Sequence, residues 1–224
     1  MPKPVYATLI GDLVGSRGAG ARAALQRSLR SALRQVNEFT DPAQPLEPTV
    51  GDEFQGAFWD PITAARAGLL LRLTLLKEAE VDARIGLGWG EVTVFEERTP
   101  LSQDGPGWWA ARAAIERAGN LSLDGRTEFV RTYLDSSRPG DLTGGETKAL
   151  NAFFFCRDAL VDQMKPRSRR LLLGLLLERS QAELAFEEGI SQSAVSQNLA
   201  ASGAYALELA EKELARNVFT GKEP

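Results

Sequence analysis

The order of strand-like and helix-like patterns constrains the fold of this chain more than any other feature of its sequence. The apolar run "VYATLIGD" (5–12) predicts a buried first strand, and the segment after it repeats leucine at spacings of three and four, as one face of a helix does. The segment "TVGDEFQGAFW" (49–59) predicts two short strands joined at a turn, and a helix is expected from Pro61. A strand with alternate glycines, "ARIGLGWGEV" (83–92), follows, and these glycines would let a helix pack closely. The predicted fold class is α+β, with the βαββαβ order of a ferredoxin-like domain and helices on one face of an antiparallel sheet.

The composition changes toward the C-terminus. From about Pro166 onward the sequence indicates consecutive helices without strand-like alternation. We therefore predict two domains, an α+β domain at 1–145 and an all-α domain at 146–224. The all-α domain is predicted to contain a helix-turn-helix at about 180–202.

The composition also excludes several kinds of site. The chain has 224 residues with one cysteine, Cys156, and no histidine, which rules out an internal disulfide, most zinc sites and every histidine-dependent triad. Any metal must then be bound mainly by carboxylates, which favours magnesium or manganese. The net charge of -4 argues against broad nonspecific binding of nucleic acid. Because no apolar run approaches the roughly 20 residues of a membrane span and the N-terminus lacks a signal-peptide layout, we expect a cytoplasmic protein.

Two Gly-Asp pairs indicate a cation site. Asp12 ends the first strand, and Asp52 lies in the turn between the second and third strands. In a ferredoxin-like sheet these strands are neighbours, so the two carboxylates would meet at one edge and hold divalent cations that neutralise a triphosphate. A structural role stays open, because aspartate after glycine is common in turns, where it binds backbone amides.

The residues around these aspartates add candidate ligand contacts. The loop that opens the first helix contributes the backbone amides of Val14, Gly15 and Ser16 and the side chain of Arg17 as candidate phosphate contacts. Strand alternation predicts that Glu53 points away from Asp52, toward solvent or outside the set of direct ligands. Gln55 shares the face of Glu53 and is a candidate polar contact.

The segment "SQAELAFEEGISQSAVSQNLAASG" (180–203) has the spacing of a helix-turn-helix. Ala185 would allow a close helix crossing, Gly189 would allow a left-handed turn, and Val195 would bury the second helix. Ser191 is a candidate N-cap of that helix. The predicted DNA contacts are Gln192, Ser193, Ser196, Gln197 and Asn198, with Arg179 on phosphate. An ordinary helical hairpin with the same packing is the alternative.

Four motifs carry a family resemblance. In order they are "TLIGDLVGSR", "TVGDEFQGAF", "ARIGLGWGEV" and "DGPGWWAARAAIERA". Together with the helix-turn-helix pattern they resemble the SatD family of bacterial proteins over nearly the whole chain, and the first three are also similar to class III nucleotide cyclases.

This resemblance implies a cyclase-like core with Asp12 and Asp52 as metal aspartates. It also implies that Arg112 is the arginine that stabilises a transferring phosphate. From the residues alone, Arg112 has a structural alternative, which is a pair with Glu116 on the same helix. The chain departs from the cyclase pattern at Trp108, where cyclases have an asparagine that orients the ribose, and it has no clear counterpart of the purine-selecting lysine and aspartate.

Three functional hypotheses follow. The leading one is a homodimeric DNA-binding transcriptional regulator whose cyclase-like domain senses a nucleotide or phosphorylated ligand with Mg²⁺ or Mn²⁺. The alternative is a metal-dependent nucleotidyl transferase or cyclase, in which Asp12 and Asp52 hold the cations and Arg112 stabilises the phosphate. The third hypothesis is a catalytically inactive dimerisation scaffold.

Overall fold

The computed structural model describes residues 3–15, 22–94, 103–137 and 144–216. The strands are β1 (Val5–Leu13), β2 (Gln44–Pro48), β3 (Glu53–Phe58), β4 (Ala83–Glu91), β5 (Thr93–Val94), β6 (Gln103–Asp104) and β7 (Thr132–Ser136). The helices are α1 (Arg22–Thr40), α2 (Pro61–Glu78), α3 (Pro106–Leu121), α4 (Gly144–Gln163), α5 (Pro166–Leu176), α6 (Gln181–Glu188), α7 (Gln192–Ala201) and α8 (Ala204–Arg216). In these ranges no helix combines the length and the apolar character needed to cross a membrane.

Five strands form one mixed sheet in the order β2-β3-β1-β4-β7. β1 pairs antiparallel with both β3 and β4, as the ferredoxin-like order predicts, and β7 adds to β4 in parallel. β5 and β6 form a separate two-stranded ladder. The predicted α+β class is confirmed, because helices follow and cover the strands of this central sheet.

The predictions of helices on one face and of an antiparallel sheet are wrong, because helices cover both faces and β7 pairs with β4 in parallel. α2 packs on one face, where Gly68 lies against the Ile85 side chain, and α3 packs on the other. A Cβ atom at Gly86 would lie 2.4 Å from the carbonyl oxygen of Ala111, and one at Gly88 would lie 2.2 Å from that of Gly107. The prediction that the alternate glycines of β4 let a helix approach closely is therefore confirmed.

The C-terminal helices pack into the same core as the sheet. Leu171, Leu184, Val195 and Leu207 belong to one apolar cluster with residues of β1 and α2. α5 and α8 contact α2, and α4 contacts β7. A separate helix-turn-helix domain is thus not confirmed, and the division at 145/146 stays a prediction.

A buried ion network joins the C-terminal helices to the sheet. Arg72 on α2 is 1% exposed and donates to Asp82 at 2.9 Å and to Asp158 on α4 at 2.6 Å. Asp158 also accepts from the first backbone amide of β7 at 2.7 Å. Arg157 pairs with Asp158 at 3.3 Å and with Glu211 on α8 at 3.8 Å. Buried charges of this kind are tolerated because each one is paired.

Candidate functional site

Charged residues converge at the edge of the sheet where β1 ends and where β3 and β4 begin. In the strand register Asp12 lies directly opposite Glu53 on one side and Arg84 on the other. Directly opposed residues project to the same face of a sheet, and the alternate glycines of β4 show that this is the face toward α3. We define the edge cluster as Asp12, Asp52, Glu53, Arg84 and Arg112.

Asp12 is partly buried at the centre of the edge cluster. Arg84 Nη1 donates to Asp12 Oδ2 at 3.1 Å. Burial raises the pKa of the Asp12 carboxyl, and the charges of Asp52 and Glu53 act in the same direction, whereas Arg84 and Arg112 oppose the shift. Sequence reasoning gave Arg84 no role beyond its motif. The signal that identifies it is its position opposite Asp12 in the β1–β4 pairing.

The turn before β3 places Asp52 beside Asp12. Gly51 has a φ of 71°, in the left-handed region that favours glycine, and Gln26 on α1 donates to the Gly51 carbonyl at 2.7 Å. The Asp52 charge raises the pKa of Asp12. Both aspartates therefore lie at the same edge of the sheet, and their role as cation ligands stays a prediction.

Arg112 reaches the cluster from α3. Its Nη1 and Nη2 atoms donate to Glu53 Oε1 and Oε2, each at 3.1 Å. These hydrogen bonds raise the pKa of Arg112, and the Glu53 and Glu116 charges add to the effect. The register of Glu53 opposite Asp12 turns its side chain toward α3, and the expectation that it lies outside the set of direct ligands stays a prediction. Glu53 also takes the direct pairing with Arg112 that the structural alternative assigned to Glu116.

The loop after β1 is described only at its start. The Val14 amide donates to the Asp82 carbonyl at 2.8 Å, so this donor is already used within the fold. Gly15 has a φ of 76°. The other two predicted phosphate contacts, Ser16 and Arg17, lie outside the described residues.

Two further residues near the edge cluster differ in accessibility. Gln55 lies opposite Ile10 on β1 and is half-buried on the face toward α3. Trp108 is only 7% exposed, and its indole nitrogen donates to Gln103 at 3.1 Å. Gln55 is thus placed to contact a ligand, while Trp108 is committed to packing.

The donor set suits a hard cation only after its ion pairs open. Within the described ranges no group of three acidic, histidine or cysteine side chains is arranged to hold a metal ion. Asp12 and Asp52 supply the oxygen donors that magnesium and manganese prefer, and the pKa of Asp12 is raised by burial first and by the negative charges of Asp52 and Glu53 second. Arg84 and Arg112 now balance that charge. A ligand whose phosphates draw the arginines away would leave the carboxylates to a cation.

The predicted DNA-binding segment forms two helices joined at a turn. Gly189 has a φ of 64°, and Ser191 caps α7 by accepting from the Ala194 amide at 3.1 Å, so the predicted turn and N-cap are confirmed. Nothing in this geometry is specific to DNA. Val195 and Leu199 are fully buried, as in any packed helical hairpin.

The side chains predicted to contact DNA do not form a basic surface. Gln192, Ser193 and Gln197 are exposed, and Ser196 and Asn198 are half-buried. Arg179 donates to Glu187 at 2.5 and 2.7 Å, so its charge is neutralised by α6 itself.

Comparisons with known proteins concern the family and the fold. The model of the SatD family matches residues 6–219. A comparison with curated proteins finds no match. Among solved structures, the catalytic core of a rhodopsin-guanylyl cyclase with converted specificity, in complex with ATPαS, is 17% identical, with 51% of this chain and 72% of that chain covered and a TM-score of 0.41. A bacterial light-regulated adenylyl cyclase is 14% identical, with 55% and 74% covered and a TM-score of 0.43.

These findings contradict the prediction of a DNA-binding transcriptional regulator. The family that matches the chain is named without a DNA-binding function. The physical reason is that the apolar residues of α6 and α7 fill the common core. In addition, Arg179, the predicted phosphate contact, is paired with Glu187 on α6.

Proposed function

The chain belongs to the SatD family, and from this premise we propose that it is a cyclase-like enzyme, a nucleotidyl transferase or cyclase that acts on a nucleoside triphosphate with a divalent cation. The observation that carries the proposal is the edge cluster. Three carboxylates and two arginines from β1, β3, β4, α3 and a turn converge there, and the central carboxyl has a raised pKa. Perturbed ionisable groups of this kind are concentrated at functional sites.

Asp12 and Asp52 are the proposed holders of Mg²⁺ or Mn²⁺. A bound cation would neutralise phosphate charge and lower the pKa of an attacking hydroxyl. The protein prepares the position by burying Asp12 beside Asp52, which makes an added positive charge favourable there.

Arg112 is the proposed catalytic cation. Its guanidinium has two donors in a plane, which match two oxygens of a phosphate as well as they match the Glu53 carboxylate. Because Arg112 is 46% exposed, it can turn from Glu53 to a ligand without breaking the core. It would then stabilise the negative charge that develops on the transferring phosphate.

The remaining proposed contacts to the ligand are polar groups of the chain. The Gly15 amide and Gln55 are the proposed polar contacts, together with Ser16 and Arg17. Trp108 on α3 packs with Ile10 and Val92 and donates to Gln103, so it does not orient a ribose as the cyclase asparagine does. Recognition of the nucleotide base would therefore rely on residues other than those that cyclases use.

A homodimer is part of the proposal. α3 contacts β1, β4 and β7 on its face of the sheet, whereas Trp59 at the end of β3 is 53% exposed. Tyr6 and Trp59 meet edge to face with ring centroids 5.7 Å apart, which gives this part of the face an aromatic surface suited to a second copy.

Product analysis tests the enzymatic function. The full chain is incubated with each common nucleoside triphosphate and manganese, and the products are identified by mass spectrometry. We expect one triphosphate to release pyrophosphate, with the rate reduced at least about 100-fold in Arg112→Ala, the scale of a lost transition-state contact. Binding without turnover would instead indicate an inactive scaffold or sensor.

A further inference from the structure

A cavity lies away from the edge cluster, between α3, β7 and the first half of α4. Its volume is about 600 Å³, within the range of roughly 300–1,000 Å³ that small-molecule sites occupy. We call it the α3–α4 cleft. Its lining shares no residue with the edge cluster, although α3 contributes to both, with Arg112 at one and Ala113 and Arg117 at the other.

At the floor of the cleft, the outer edge of β7 is not available to pair with another strand. Asn151 on α4 accepts from the Leu134 amide at 2.8 Å and donates to the Leu134 carbonyl at 2.9 Å. This side chain therefore takes the place of a neighbouring strand at the outer edge of β7. An extended peptide has no free backbone partner at this position, so the occupant that fits is a small molecule.

The walls of the cleft carry two cations without acidic partners. Arg117 projects from α3 and Lys148 from α4, and neither makes an ion pair in the described part of the chain. By contrast, Arg72, Arg112 and Arg170 each pair with a carboxylate. In a protein with a net charge of -4, two unpaired cations facing one cavity indicate an anionic ligand.

The remaining lining gives the cleft polar contacts besides these cations. Gly144 and Thr147 line it from the first turn of α4, where the amide groups and the helix dipole favour negative charge. Tyr133 adds a half-buried ring with a phenol hydroxyl. Among the described residues of the lining Asp135 is the one that is acidic, and its Oδ1 accepts from the Ser136 amide at 2.8 Å. Asp135 suits a hydroxyl or amino group on the same ligand.

We propose that the α3–α4 cleft binds a small anionic molecule whose phosphate or carboxylate group lies between Arg117 and Lys148. The hydroxyl or amino group of that molecule contacts Asp135, and its body lies over Tyr133. The site is independent of the proposed catalytic function, because its lining excludes every residue of the edge cluster.

Calorimetric titration of the full chain with inorganic pyrophosphate and, separately, with citrate tests the proposal. The double variant R117Q/K148Q removes both cations, and both side chains are exposed, so the fold should be retained. R34Q/K3Q is the matched control, because it removes the same charge from two exposed positions outside the cleft. R112Q reports binding at the edge cluster.

We expect saturable binding of at least one probe by the wild type, and the choice of probe distinguishes a phosphate from a carboxylate ligand. The affinity should fall at least tenfold in R117Q/K148Q and stay within twofold in R34Q/K3Q and R112Q, as expected for loss of two charge-assisted contacts. The single variants R117Q and K148Q should each show part of the loss. The proposal is overturned if neither probe binds or if R34Q/K3Q loses as much affinity as R117Q/K148Q. It is also overturned if R112Q abolishes binding while R117Q/K148Q retains it.

Discussion

Glu53 and Arg112 form a two-point ion pair, with both hydrogen bonds 3.1 Å long, between the start of β3 and the middle of α3. Their side chains are 38% and 46% exposed, so the pair contributes little to stability, on the order of 0–1 kcal/mol. The ion pair matters more for the binding of ligands than for stability. As long as Glu53 holds Arg112, the guanidinium is not available to a phosphate.

Glu53→Gln should therefore tighten binding of the triphosphate substrate. Removing the charge weakens the hold on Arg112, and we expect the dissociation constant measured by calorimetry with manganese to fall about threefold to tenfold, where tenfold corresponds to about 1.4 kcal/mol. Glu116→Gln is the control on α3, because Glu116 acts on Arg112 only through its charge. Weaker binding in Glu53→Gln would mean that Glu53 itself contacts the cation.

Asp158→Asn should be among the most destabilising changes in the chain. Asp158 is fully buried and accepts hydrogen bonds from Arg72 and from the start of β7, so the variant leaves buried arginine charge uncompensated. The free energy of unfolding in urea should fall by about 3–5 kcal/mol. Asp162→Asn, one turn later on α4 and exposed, should change it by less than about 0.5 kcal/mol. Equal effects would show that the network is not what holds α4 in place.

The buried carboxyl of Glu211 is predicted to make the stability of the protein depend on pH. Burial raises the pKa of this carboxyl above its ordinary value of 4.5, although Arg157 and Arg66 oppose the shift. A raised folded pKa means that folding takes up a proton, so the contribution of Glu211 to stability is largest below its unfolded pKa and is lost as the pH rises through the folded value.

Glu211→Gln should remove this dependence. Relative to the wild type, the variant should gain stability as the pH is raised from about 4 to about 7 in urea unfolding. Glu213→Gln, an exposed position on the same helix, should show no such trend. A constant difference across this range would contradict the assigned shift.

Gly88→Ala tests the packing of α3 on the sheet. The added methyl group would lie 2.2 Å from the Gly107 carbonyl oxygen and 2.4 Å from the Ala111 amide nitrogen, and both are backbone atoms that cannot rotate away. We expect a loss of at least about 1–3 kcal/mol in the free energy of unfolding. Gly125→Ala is the control, because no atom lies within 4 Å of its added methyl group. A stable Gly88→Ala variant would mean that α3 is less closely packed.

The parts of the fold that sequence could predict are those set by local periodicity. The leucine spacing of α1 and the alternate glycines of β4 determine which side of each element is buried, and both were predicted correctly. The strand β7 differs from these elements. Its observed position, Thr132–Ser136, depends on the side chains of Asn151 and Asp158, which are distant in sequence.

The candidate site, like the fold, could be predicted only in part from the sequence. The location of Asp12 and Asp52 at one edge of the sheet follows from strand order and was predicted. The contacts of Arg84 and Glu53 require the exact register of β1 with its neighbours, because a shift of one residue moves a side chain to the other face. The α6–α7 pattern was predicted correctly as two helices and wrongly as a DNA-binding surface, since packing and recognition use the same spacing of small and apolar residues.

The most direct test of the central claim is thermal unfolding of the wild type and Asp52→Asn with each nucleoside triphosphate, in the presence and absence of manganese. A ligand at 100 times its dissociation constant adds about 2.7 kcal/mol to the stability of the native state, which raises the midpoint measurably. The account predicts that one triphosphate raises the wild-type midpoint only with manganese and that Asp52→Asn folds but loses the shift. No shift with any triphosphate, or an equal shift in Asp52→Asn, would contradict a nucleotide site at the edge cluster.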